Sequence, residues 1–156
     1  MFDRTAYEKH DEIGKQVSLR FFGQFGWIST DMEEHYGDYD FLMTKRGIKK
    51  TVEVEQKTGW TSHNFPFQTM DVPGRKMKSK ADYFVQINKY GTALHITKMS
   101  DVHRSKQYTK TTCCAKGYLE PFFAVSLTDV DTYWLIDNKW VHINQRGSPQ
   151  PTLLAL

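Results

Sequence analysis

Gly37-Asp38-Tyr39-Asp40-Phe41-Leu42-Met43-Thr44-Lys45-Arg46-Gly47-Ile48-Lys49-Lys50-Thr51-Val52-Glu53-Val54-Glu55-Gln56-Lys57 is the stretch on which the fold turns. Arg46-Gly47 suits a two-residue hairpin turn. Thr51 to Glu55 alternates with period two, the pattern of a strand with one buried face. Strands over 38–44 and 48–57 follow. A two-residue turn sets Lys45 opposite Ile48, Asp40 opposite Glu53 and Asp38 opposite Glu55. Opposed residues share a face and successive residues alternate. Asp38, Asp40, Glu53, Glu55 and Lys57 are therefore expected on one side. Tyr39, Phe41, Met43, Val52 and Val54 are expected on the other, as core.

Like charges directly opposite one another destabilise a sheet. Four carboxylates and a lysine on one face are either solvated or used. Used, they suit a hard cation: magnesium and manganese prefer oxygen ligands and keep several waters. A lysine beside such an ion can hold a phosphate oxygen or orient the attacking water.

The flanks give the rest of the fold. Residues 3–22 predict a helix, with Asp3 as a cap and Ala6, Ile13, Val17 and Phe21 at helical spacing. Gly23 and Gly26 end it, and Trp27-Ile28 begins a short strand. Gly59, Pro66, Pro73 and Gly74 argue against a long helix over 58–81, which reads as mostly loop. Strands are expected at 82–88 and 93–98, turning at Asn88–Gly91. A short helix over 102–106 would be capped by Ser100-Asp101. A strand at 122–128 follows, then a hairpin of 133–136 with 140–144 about Asp137-Asn138-Lys139. Residues 147–156 read as a C-terminal tail. The class is α+β: an N-terminal helix, few further helices and one mixed sheet.

The 156 residues suit one domain spanning 1–156. Hydrophobic residues at 39% and charged residues at 25% are those of a globular chain, not a disordered one. Cys113 and Cys114 are adjacent, which rules out a disulfide framework and offers no zinc spacing. Residues 1–20 carry charges throughout and lack the apolar stretch of a secretory signal. No run of about 18–20 apolar residues occurs. The expectation is a soluble, cytoplasmic protein without a membrane partner. The histidines show no HxH or HExxH grouping, and neither a phosphate-binding loop nor a nucleophile elbow is present.

Net charge is +3, too little to name a partner. Its distribution says more. Residues 75–116 hold ten Lys/Arg against two acids, so the remainder of the chain is net negative. Arg75, Lys76, Lys78 and Lys80 open the basic segment, and Arg104, Lys106, Lys110 and Lys116 follow, with Tyr83, Tyr90 and Tyr108 interleaved. Lysine and arginine supply most non-specific affinity for phosphate backbones, and aromatics stack on unpaired bases.

Gly37-Asp38-Tyr39-Asp40-Phe41, a short turn, and Val52-Glu53-Val54-Glu55-Gln56-Lys57 together resemble the PD-(D/E)XK nuclease superfamily. The resemblance covers about residues 1–60. It implies a restriction-endonuclease-like core. Asp40 matches the family aspartate, Glu55 the second acid and Lys57 the lysine, and Lys57-Thr58-Gly59 looks like the continuation in exonuclease-type members. Asp38 competes with Asp40. The family often adds a glutamate from a preceding helix, for which Glu12 is the first choice and Glu8 the second. Tyr39 stands where the family name has proline, and no helix is legible after the acid-x-lysine strand.

The resemblance implies a Mg2+- or Mn2+-dependent deoxyribonuclease that hydrolyses phosphodiester bonds. Asp40 and Glu55 would bind the metal, Lys57 would orient phosphate and water, and Glu12 would complete the catalytic set. Arg75, Lys76, Lys78, Lys80, Arg104 and Lys106 would contact double-stranded or branched DNA, and a homodimer would suit cleavage of both strands. The alternative is a non-catalytic nucleic-acid-binding or accessory module on a degenerate nuclease fold. A third reading is an interaction domain whose acidic hairpin face is merely solvated.

Overall fold

The structure, a computed structural model, describes residues 4–31, 39–111 and 117–143. Asp38, both cysteines, Lys116 and the tail at 147–156 lie outside the described residues, as does the side chain of Glu8. Helix α1 (Arg4–Gln24) leads into β1 (Ile28–Asp31), β2 (Phe41–Lys45) and β3 (Ile48–Lys57). Then come β4 (Thr69–Pro73), a 3-10 turn (Gly74–Lys78), β5 (Tyr83–Asn88), β6 (Ala93–Lys98) and α2 (Met99–Arg104). Strands β7 (Lys106–Thr111), β8 (Leu119–Ser126), β9 (Asp131–Ile136) and β10 (Lys139–Ile143) complete the described chain.

The fold is α+β, with a mixed seven-stranded sheet ordered β1-β2-β3-β5-β6-β9-β10. The β3–β5 step is parallel and the other pairings are antiparallel. The expectation of one sheet is corrected: β4, β8 and β7 form a second, three-stranded sheet. One of its two pairings, β4 with β8, sets Met70 opposite Val125. A pairing so distant in sequence leaves no local signal.

The hairpin register is the one the turn predicts, with Lys45 opposite Ile48 and Phe41 opposite Val52. Arg46 and Gly47 both have positive φ, 50° and 79°, the backbone of a turn whose twist matches its strands. Phe41, Met43, Val52 and Val54 enter the core under α1, with Phe21, Phe22, Val85, Ile87 and Tyr133. The helix lies close on the sheet there. A Cβ added at Gly14 would stand 3.2 Å from Val54 Cγ1.

The opposite face of the large sheet packs on the small one. Phe84 joins Met70, Val72, Phe123 and Val125 in a second core, closed by Met99 and Val102 of α2. Tyr39 packs against this second core, not the first. That corrects its expected place beside Phe41, and the cause is a bend at Asp40. The Asp40 amide donates to Val52 O at 2.8 Å, and its carboxylate takes the next donor of β3, the Val54 amide, at 2.7 Å. The side chain thus replaces a ladder bond, and alternation is lost at that residue.

The long segment after β3 is mostly loop, as expected, with one short strand and a 3-10 turn in it. It is pinned by Trp60, whose amide donates to Lys57 O and whose carbonyl accepts from Lys89 N. It then supplies β4 and the 3-10 turn before the chain returns parallel to β3. No α-helix occupies this crossover.

Candidate active site

Alternation along β3 puts Glu53, Glu55 and Lys57 on the face toward the small sheet. Their register partners on β5 are Phe84, Gln86 and Asn88. Glu53 is buried and pairs with Lys76 from the 3-10 turn. Asn88 is buried and fully used: it bonds Ser62 O, the Thr92 hydroxyl and amide, and the Ala93 amide. It fixes the β5–β6 turn below Lys57.

Glu55 sits between them. Burial pushes its carboxyl above the usual carboxylate range. Lys57, Arg75 and the hydrogen bond from Gln86 oppose that rise, while Glu120 adds to it. Gln86 Nε2 donates to Glu55 Oε1 at 3.4 Å. Glu55 Oε2 is shut off from solvent and has no hydrogen-bond partner among the described residues. A buried charged oxygen without a partner is costly. A hard cation is the ligand class such an oxygen suits, so Glu55 fits the metal that the sequence resemblance implies.

Two cations stand at the rim. Lys57 Nζ lies 5.3 Å from the centre of the Phe67 ring. Arg75 is mostly exposed and its Nη1 donates to Glu120 Oε1 at 3.0 Å. The turn carrying Arg75 is held close to β8. A Cβ at Gly74 would come within 2.8 Å of the Pro121 carbonyl oxygen, so only glycine lets the turn approach there. Beside it, the Asp71 carboxylate accepts from Thr69, Tyr108 and Lys110. These bonds lower its pKa despite partial burial.

Sequence-expected residues therefore divide. Lys57 and Arg75 lie near enough to Glu55 to favour its charged form. Asp40 contacts the Val54 amide and lies 3.7 Å from Lys15 Nζ of α1. Glu12 is exposed on α1, where its Oε1 accepts from Gln16 at 2.9 Å. Since α1 covers the Val54 face, Glu12 rises from the side of the sheet away from Glu55. Lys76 is committed to Glu53, and Arg104 to Asp101 within α2. Lys78, Lys80 and Lys106 are exposed. Among the described residues, no three His, Cys, Asp or Glu side chains stand together as a metal-holding group.

Gln86 and Glu120 are additions that the sequence reading missed. Glu120 comes from a strand paired across more than forty positions. Gln86 had one signal, a lone polar residue in Tyr83-Phe84-Val85-Gln86-Ile87, which otherwise reads as buried strand. A separate cavity of about 390 Å³ opens on the α1 side, lined by Arg20, Gln24, Leu135, Lys139 and Trp140, none of which belongs to the site. No helix among the described residues is long and apolar enough to cross a membrane. Comparison with protein-family models, curated proteins and solved structures returns no match for this chain.

Proposed function

We propose that this chain is a Mg2+- or Mn2+-dependent nuclease that hydrolyses DNA phosphodiester bonds at Glu55 and Lys57. The observation that carries the reading is the buried Glu55 carboxylate, one oxygen of which lacks a partner, with Lys57 and Arg75 beside it. Helix, tight hairpin and acid-x-lysine strand occur in the order of a restriction-endonuclease-like core. The crossover built from β4 and a 3-10 turn departs from that pattern, since the family usually has a helix there.

A divalent ion supplies an acidified water and offsets charge on the scissile phosphate. Glu55 holds that ion. Lys57, anchored by its strand, holds a phosphate oxygen and orients the water. Arg75 reaches the substrate from the rim, and exposed Lys78, Lys80 and Lys106 extend the basic surface along the duplex. Cutting both strands calls for two such sites, which a homodimer provides. A cytoplasmic location suits this activity.

A second reading is a DNA-binding module that does not cut. It is favoured by the engagement of Asp40 with Val54 and Lys15, which spends the family aspartate on structure. Purified protein incubated with linear, branched and single-stranded DNA separates the two. Cleavage in Mg2+ or Mn2+ and none in EDTA supports the nuclease. Binding without cleavage of any substrate supports the module.

A further inference from the structure

Glu55, Gln86 and His95 form a polar row across β3, β5 and β6. Gln86 is completely buried. Its Nε2 donates to Glu55 Oε1 at 3.4 Å and to the Asp71 carbonyl oxygen at 3.2 Å. Both neighbours are acceptors, which settles the orientation of the amide. Exchanging its ends would set Oε1 against two oxygens. Gln86 Oε1 is therefore the end of the amide that neither contact uses. It is closed off from solvent and has no hydrogen-bond partner among the described residues, as is true of Glu55 Oε2. Two side chains joined by one hydrogen bond thus each present an unsatisfied buried oxygen.

We propose that Gln86 Oε1 and Glu55 Oε2 are companion ligands of one hard divalent cation. Amide and carboxylate oxygens are the ligand class that Mg2+ and Mn2+ take, with water filling the remaining positions. Gln86 is presented by a supported arm. Its amide is pinned by the Asp71 carbonyl, and the Asp71 side chain is held by Tyr108 and Lys110. The arrangement gives the ion a second strand to bind without the Asp40 carboxylate. The proposal rests on the reading that Glu55 holds the cation and adds the ligand that completes the pair. Its rival occupant is a proton on Glu55, donated to Gln86 Oε1, which would satisfy both oxygens with no metal.

The test is calorimetric titration of the whole chain with Mn2+ in the absence of DNA, so that no step depends on cleavage. Wild type binds Mn2+. Gln86→Met, similar in volume but without the oxygen, weakens binding by about tenfold or more. Gln86→Glu, which adds a charged ligand, tightens it. Melting curves without metal show whether each variant is folded. If Gln86→Met does not fold, Gln86→Glu decides: tighter binding supports the ligand role, and equal or weaker binding overturns it. If Gln86→Met binds Mn2+ as wild type does while Glu55→Gln does not, Gln86 is no ligand, yet Glu55 remains one. If wild type takes up no Mn2+, the proton is the occupant, and the pair and the metal-dependent reading fail together.

Discussion

The Asp40 carboxylate accepts the Val54 amide at 2.7 Å, so a side chain completes the ladder where β2 bends away from β3. The same carboxylate lies 3.7 Å from Lys15 of α1, tying helix, bend and central strand together. Asp40→Ala strands the Val54 amide and should cost about 1–3 kcal/mol. Asp40→Asn keeps an acceptor and should cost less than about 1 kcal/mol. Urea denaturation measures both. Cleavage lost in Asp40→Asn at near-native stability would give Asp40 a catalytic role besides its structural one. Cleavage retained there would leave it structural.

The basic residues should separate into two behaviours. Lys76 pairs with buried Glu53, and removing one partner of a buried pair costs about 3 kcal/mol or more. Lys76→Ala should therefore lower thermal stability first. Lys78 and Lys80 are exposed. Lys78→Ala and Lys80→Ala should leave stability within about 0.5 kcal/mol. Each should flatten the slope of log affinity for DNA against log salt by roughly 0.9 for every phosphate the side chain had neutralised. Unchanged slopes would remove these lysines from the interface.

Gly74→Ala tests whether the 3-10 turn must sit against β8. A Cβ there meets Pro121 backbone and ring at 2.8 Å, so the turn must shift and carry Arg75 and Lys76 with it. A destabilisation of about 1–3 kcal/mol, typical of overpacking, is expected, together with a fall in cleavage larger than stability alone explains. Wild-type cleavage in a folded Gly74→Ala protein would show that the position of Arg75 does not matter.

His95 sets a pH limit on the fold. Burial drives its pKa from 6.5 down to about 3, and it packs against Trp60 and Phe65 with ring centres 4.5 and 4.4 Å away. The unfolded chain takes up a proton near pH 6.5 that the folded chain refuses. Its contribution is complete above pH 6.5 and is lost as pH falls toward 3. In that window stability should drop by about 1.4 kcal/mol per pH unit from this residue. His95→Phe should flatten the slope in urea titrations between about pH 6 and 4. An unchanged slope would assign the acid sensitivity elsewhere.

Much of this architecture was legible because it is local. Two residues at Arg46-Gly47 set the hairpin register, and the alternation of Val52 and Val54 with Glu53 and Glu55 set its faces. Helix α1 followed from apolar spacing, and the strand pairs near Asn88 and Asn138 from their turns. What escaped depends on distant partners. Strand β4 contains Pro73 and follows an irregular segment broken by Gly59 and Pro66, and its strand identity comes from β8, far along the chain. Strand β7 looks like a charged surface segment, since only its pairing with β8 makes it a strand. The bend at Asp40 was hidden because a side chain, not a turn residue, breaks the alternation. In the site, Glu55 and Lys57 were legible from the acid-x-lysine spacing, whereas Gln86 and Glu120 reach it through tertiary pairing.

The most direct test of the central claim is the cleavage rate of Glu55→Gln in saturating Mn2+, with DNA affinity measured on the same preparation in EDTA. If Glu55 holds the metal, cleavage falls by at least about 100-fold, while affinity and melting temperature stay near wild type. Cleavage by Glu55→Gln at the wild-type rate would contradict it.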